Sequence, residues 1–323
     1  MSTYWGNHAA VFITFTKRYI RILVGNRKHQ YTHAIQRIIE DGWIDKSEII
    51  QDEQLVRALT SVVKQYKLAG LKTYVSFSSH ELLLRSTKLP LSIPVEELKG
   101  SLYMALGESF QLPFQDPIIE IVGTEEVDGE REVRALAVPE EGVNKMVALL
   151  KKSKLRPIVM DVPFLNLYRL FQEQFHLTEE QNILLIHAEL DGVQLSMFHN
   201  HEPVYVRTFT LAPPTEYTAF ESRTGFQYIE VPKEDVVFTE HMNMMKKEIE
   251  RLQSFYQFNL QQGKQKIDTI CLAGDHPHLV ELKESYSDSE DINAFLLHKQ
   301  SWGTKTGYKI PDSFAELVGL SWK

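Results

Sequence analysis

The sequence predicts an α/β protein with a duplicated core and a small α+β subdomain inserted in its first half. Three observations carry this reading. A β-β-(β)-α-β succession opens each half of the chain. Its 323 residues exceed the usual size of one domain. Its 43% apolar content is enough to fill more than one core.

The first half opens with two short β-rich runs, Val11 to Phe15 and Ile20 to Val24, separated only by residues 16–19. That spacing predicts a hairpin. From Asp52 to Gln65, Leu55, Val56, Leu59, Val62 and Val63 recur at helical spacing, and Gly70 follows as a stop. Thr73 to Phe77 reads as a strand, which completes a first core domain over residues 1–77. Residues 78–160 read as the insert. They hold a strand ending at Leu89-Pro90, a helix from Val95 to about Ser109, and strands Pro117 to Val122 and Glu132 to Val138 around the turn Asp128-Gly129. A helix over residues 140–152 and a strand from Pro157 to Val162 close it. About 161–176, with a helix from Pro163 to Phe175, return to the first core domain.

The second core domain spans residues 177–323. Ile183 to Ile186, Gly192 to Phe198 and Val204 to Phe209 read as three consecutive strands, with Asn200-His201 at the second turn. Residues 212–231 are polar and carry no clear period. A long helix, Lys233 to Leu260, has a broad apolar face whose spacing assigns it to burial on a sheet. Strand Ile267 to Leu272, helix His278 to Tyr286 and strand Asn293 to His298 follow. There is no internal repeat of 20–50 residues.

Composition narrows the function. A net charge of -8 argues against a dedicated nucleic-acid binder and has the wrong sign for docking on an anionic membrane. The single cysteine, Cys271, excludes a disulfide framework and a CxxC motif, and its apolar neighbours Ile270 and Leu272 assign it to the core. No run approaches the roughly 18 apolar residues that span a bilayer, and the first ten residues lack a signal-peptide pattern. A soluble, cytoplasmic protein is expected, meeting the membrane only through a partner. Twelve histidines include His187, His199 and His201, but neither HExxH nor Cys/His zinc spacing is present. The GxSxG and Walker A motifs are absent too. Glu120, Glu125, Glu126 and Asp128 read as a solvated loop face.

One order of motifs is more specific. Arg85-Ser86-Thr87-Lys88-Leu89-Pro90 is followed by Val95-Glu96-Glu97-Leu98 and then Gln111-Leu112-Pro113-Phe114. Gly70-Leu71, Asp161-Val162, the stretch Phe198 to Arg207 and the terminal Val318-Gly319-Leu320 keep the same order and spacing. Together these resemble the PilM family, cytoplasmic actin-like (ribonuclease H-like) proteins of type IV pilus and competence-pseudopilus assembly, within the actin and FtsA superfamily. The resemblance covers nearly the whole chain. It implies a scaffold that binds the short cytoplasmic N-terminal peptide of a PilN-like inner-membrane protein, in a groove between the insert and the first core domain. Residues around Arg85, Leu89, Pro90, Leu112, Pro113 and Phe114 are the candidate framework of that groove. An extended peptide would bind there through main-chain hydrogen bonds and a few apolar pockets.

The same resemblance exposes a degenerate nucleotide site. Family members carry Asp-x-Gly-Ser/Thr, two residues, then Ile-Lys in the first phosphate loop. With Ile20-Arg21 on that Ile-Lys, Thr14 stands for the Asp and Thr16 for the Gly, with Lys17 and Arg18 at the tip. A neutral Thr cannot orient hydrated magnesium, and a β-branched residue obstructs close backbone approach to phosphate. Lys17 and Arg18 are expected to be solvated tip charges. In the second loop His187 replaces an Asp, and Glu189 replaces a Gly beside phosphate. Asp191-Gly192 reads as a plain hairpin turn with positive φ. The adenosine motif survives as Ala273-Gly274-Asp275, with one glycine of two, and Leu211-Ala212-Pro213-Pro214 stands where another double glycine belongs. The expectation is therefore no ATPase activity, weak or absent binding of ATP and Mg²⁺, no other cofactor and no metal site. Two rivals remain open. One is an ATP-binding switch or ATPase of the actin/sugar-kinase superfamily, for which Glu189 or Asp191 would supply the carboxylate. The other is an FtsA-like polymerising protein, although the C-terminus lacks a basic amphipathic helix.

Overall fold

The computed structural model describes residues 9–26, 28–45, 48–232, 234–287, 289–297, 302–305 and 307–323. The first core domain opens with β1 (Ala10–Phe15), β2 (Tyr19–Gly25) and β3 (Tyr31–Ile38), an antiparallel meander. Every residue of β1 and β2 is buried, and but for Thr14 and Arg21 both are apolar. Sequence pattern did not resolve β3, because His33, Gln36 and Arg37 interrupt its alternation. Gln36 is nevertheless buried. The short pair β4 (Ile44–Asp45) and β5 (Glu48–Ile49) leads into α1 (Asp52–Gln65), whose Leu55, Leu59, Val62 and Val63 face the sheet. The parallel strand β6 (Lys72–Ser76) then pairs with β1.

The insert is a three-stranded sheet in the order β7 (Leu83–Pro90), β9 (Glu130–Pro139), β8 (Pro117–Val127), covered by the helix α2 (Leu98–Met104). The sequence extends α2 to about Ser109. It stops earlier because Gly107 takes φ 80°, which a continuing helix forbids. The chain next forms α3 (Glu140–Lys152) and β10 (Arg156–Asp161), and here the expected boundary at residue 160 needs correction. Met146, Leu149 and Leu150 of α3 pack with α1 on the first sheet, and β10 joins that sheet beside β6. Apolar burial assigns both to the first core, so the insert shrinks to about residues 83–139.

The helix α4 (Pro163–Phe175) leads to the second core. There β11 (Ile183–Glu189), β12 (Gly192–His199) and β13 (Glu202–Thr210) repeat the antiparallel meander. The unassigned stretch 212–231 contains a hairpin, β14 (Thr218–Glu221) and β15 (Gln227–Glu230). In α5 (Val236–Phe255) the side chain of Asp235 accepts from the Val237 N–H and caps the start. The expected start at Lys233 lies outside the described residues. β16 (Thr269–Gly274), α6 (Leu279–Glu284) and β17 (Asn293–Leu296) follow. The expected end of the last strand at His298 also lies outside the described residues. The short helix α7 (Ala315–Leu320) closes the chain.

The two five-stranded sheets have one topology. Their orders are β10-β6-β1-β2-β3 and β17-β16-β11-β12-β13, each with an antiparallel meander flanked by two parallel strands. Between them lies a shared core. Phe12 and Leu23 come from the first sheet, Leu185 and Cys271 from the second, and α4 and α7 fill the space between. The two helices touch closely: a Cβ on Gly319 would overlap the Asn166 carbonyl. The last helix in the chain thus packs on the first sheet as well as on α4.

Candidate functional site

The β1–β2 hairpin of the first domain and the β11–β12 hairpin of the second point at one another across a cleft of about 690 Å³. Both are tight turns between fully paired strands, so their tips are positioned rigidly. Leu190 and Asp191 form the β11–β12 turn, and Gly192 already belongs to β12. Neither Asp191 nor Gly192 takes a positive φ, which corrects the Asp-Gly expectation.

Charge fills the space between the tips. Arg18, expected to be solvated, is only 4% exposed. Its Nε and Nη2 donate to the two oxygens of Asp191 at 2.6 and 2.7 Å, a bidentate pair across the domains. Its guanidinium also lies 5.1 Å from the Tyr217 ring centre. The correction follows from desolvation: a tip charge that meets an opposite tip charge leaves water. Arg21, 1% exposed, donates to Glu189 Oε1 at 2.6 Å, to Asp275 Oδ2, and to Gln36 Oε1 at 2.8 Å. Asp275 in turn accepts from the Leu190 N–H at 3.2 Å.

Each predicted residue of the degenerate nucleotide site has a definite place. Thr14 is buried on β1 opposite Arg21. The Thr16 hydroxyl accepts from the N–H groups of Arg18 and Tyr19 at 3.3 and 3.1 Å, so it closes its own turn. Lys17 lines the cleft. His187 stands 3.9 Å from Glu316 of α7, and burial lowers its pKa, which favours the neutral ring. Burial pushes the Glu189 carboxyl up to about 7 against the pull of Arg21, with Asp275 adding to the rise. Gly274 takes φ 130°, and a Cβ there would overlap the Ala188 carbonyl. Close packing of β16 on β11 is thus sufficient reason for this glycine.

Beside Gly274 the chain packs an aromatic and histidine cluster. His241 and His276 approach at 3.1 Å between Nδ1 and Nε2, and Phe238 sits edge-on to both. Burial, with His241 adding, pushes His276 down to about 3. His276, in the loop between β16 and α6, is buried. His199 and His201 do not converge on a metal. The first bonds Asn182 and Tyr256, the second Tyr168. Among the described residues Glu48, His80 and Glu81 lie close together at the surface.

On the insert, Leu89 is buried, and Leu112 and Phe114 pack on the same small core. Arg85, Pro90 and Pro113 are exposed. Leu89, Leu112 and Phe114 therefore hold the insert together, while Arg85, Pro90 and Pro113 face solvent. Sequence reasoning missed Arg21, Gln36 and Asp275 as a connected group. Nothing in the local pattern joins residues separated by up to 254 positions.

The duplicated sheets, the meander-plus-parallel topology and the facing hairpins define the actin-like fold. Within that class the fold is PilM-like. It superposes on the solved PilM-PilN type IV pilus biogenesis complex with a TM-score of 0.73 over 97% of each chain, at 16% identity. An actin-like ATPase-fold protein of unknown function from Bacteroides thetaiotaomicron gives 0.47 over 98% of each chain, at 10% identity. The cytoplasmic domain of EpsL, an inner-membrane component of the Vibrio cholerae type II secretion system, gives 0.45 over 97% of this chain and 94% of its own, at 10% identity. No protein-family model and no curated protein matches the sequence. No helix among the described residues is long and apolar enough to cross a membrane.

Proposed function

We propose that this chain is a nucleotide-independent scaffold of a pilus or secretion assembly platform, docking a PilN-like inner-membrane protein from the cytoplasmic side. The PilM-like fold supports the pilus part of the reading. A single observation carries the nucleotide-independent part. Arg21 crosses the cleft to Glu189 and Asp275, in the space where the family resemblance puts phosphates. An incoming triphosphate would have to displace two carboxylates from a buried guanidinium and then sit beside them, a like-charge clash in a poorly solvated site.

Calorimetric titration with ATP and Mg²⁺ tests this. The expected result is no saturable binding up to about 1 mM, an affinity weaker than roughly -4 kcal/mol. Micromolar, magnesium-dependent binding would hand the reading to an ATP-driven switch. A second titration uses the N-terminal cytoplasmic peptide of a PilN-like protein. Saturable binding that weakens in Arg85→Ala is expected, and its absence would remove the docking role. Filaments in a pelleting assay would favour an FtsA-like polymer instead.

A further inference from the structure

We propose that the interdomain cleft binds an organic cation with several N–H donors, an ammonium or guanidinium group, in place of the nucleotide anion of its relatives. Charge balance is the first argument. Asp45, Glu189, Asp191, Glu248, Asp275 and Glu316 line the cavity. Arg18 is consumed by Asp191, and Arg207 by Glu248 at 3.2 Å. Arg21 is shared between Glu189 and Asp275. Three carboxyls are then left without a cation of their own: Glu316, whose neighbour His187 is kept neutral by burial, Asp45, and one of the Glu189–Asp275 pair. Among the described residues lining the cleft, Lys17 is the remaining lysine or arginine, with His80 and His187 beside it.

Unmet hydrogen bonding is the second, independent argument. Glu316 and Gln194, 3% and 8% exposed, both lie on the cavity wall. The Oε1 of each is a buried acceptor with no hydrogen-bond partner. Buried polar atoms in folded proteins are almost always satisfied, so unpaired acceptors on a cavity wall point to an absent donor. An anion supplies none. A metal ion is a poor fit, because among the described residues the ligand atoms that converge within 4.8 Å are those of Glu48, His80 and Glu81 and not these. A cavity of about 690 Å³ with separated acceptors suits an extended cation. Burial, with neighbouring carboxylates adding, raises the pKa of both Glu189 and Glu316, so a bound cation would favour their ionised forms.

The cation could come from two sources, a diffusible polyamine or the basic side chain of a peptide, and the test separates them. Calorimetric titrations use spermidine, an arginine-containing peptide and the same peptide with citrulline. Saturable binding of spermidine or of the arginine peptide, with Kd below about 1 mM, is expected, and citrulline should abolish peptide binding. Spermidine alone would identify a diffusible ligand; the peptide alone, a partner's side chain. Glu316→Gln should weaken binding at least tenfold. Asp45→Asn, at an exposed position outside the ion pairs found among the described residues, should weaken it severalfold without threatening the fold. Glu120→Gln on the insert surface should leave it unchanged and so controls for non-specific attraction to an acidic protein. No saturable binding of either probe would overturn the inference, as would binding that ignores both cleft substitutions. The scaffold reading is tested at the insert and with ATP, so the two fail separately.

Discussion

Arg21 sits at the meeting point of four chain segments, and its surroundings set what a substitution there would do. Its guanidinium holds Glu189, Asp275 and Gln36 at once. Arg21→Gln would leave two carboxylates in a cleft with no cation between them. Removing one partner of a buried pair costs about 3–5 kcal/mol, and chemical denaturation should show a loss of that size. A loss below about 1 kcal/mol would mean the pairs behave like exposed salt bridges. Proton linkage gives a second prediction. The Glu189 carboxyl is pushed up to about 7 in the folded protein. The folded state therefore holds this proton more tightly than the unfolded chain. That contribution is complete below the ordinary carboxylate range and is lost as pH rises through 7. Glu189→Gln mimics the protonated form, so its thermal midpoint should gain on the wild type between pH 5 and pH 8. A constant difference across that range would refute the assignment. His276, pushed down to about 3, works in the opposite sense. Its neutral ring contributes stability above pH 6.5 that is lost on acidification.

At the scale of elements, the β14–β15 hairpin works as a strap. It belongs to the second domain in sequence but lies against β3 of the first. The Gln227 backbone carbonyl accepts from Gln36 Nε2 at 2.8 Å, and its side-chain Oε1 accepts from the Ile38 N–H at 3.0 Å. The Ile229 N–H donates to the Tyr19 hydroxyl at 3.2 Å. The strap thus satisfies an edge strand that would otherwise offer open backbone groups. Gln227→Ala removes the side-chain bond to Ile38. A cost of about 0.5–1.5 kcal/mol is expected, together with faster amide exchange at Ile38. Unchanged protection of that amide would show that the strap contributes nothing to the edge. The insert makes a comparable link, with Arg134 pairing with Glu202 of the second domain and with Glu125 of its own sheet.

For the whole molecule, the shared core makes the two domains thermodynamically dependent. α4 and α7 pack on each other, and one apolar cluster draws on both sheets. Calorimetry should therefore show the two core domains unfolding in one transition, with calorimetric and van't Hoff enthalpies that agree. Gly319→Ala forces α7 away from α4, and overpacking of this kind costs about 1–3 kcal/mol. It should lower that single transition as a unit. Two resolved transitions, only one of them shifted, would refute the coupling.

The sequence by itself determined the duplicated α/β plan. Apolar runs at β1, β2, β11 and β16 and the helical period of α1 depend on local spacing, which reads directly from the chain. The residue types at Thr14, Thr16, His187, Glu189 and Asp275, which suit phosphate contacts poorly, are legible there too. Only the tertiary structure decided what those residues do instead. Arg18 and Arg21 look like ordinary charges until Asp191, Glu189 and Asp275 arrive from 173, 168 and 254 positions away. Whether a charge is solvated or paired depends on who its neighbours are in space. The same holds for α3 and β10, which local pattern identified correctly as helix and strand but placed in the wrong domain. Secondary structure follows from short-range periodicity, while domain membership follows from which apolar faces are buried together.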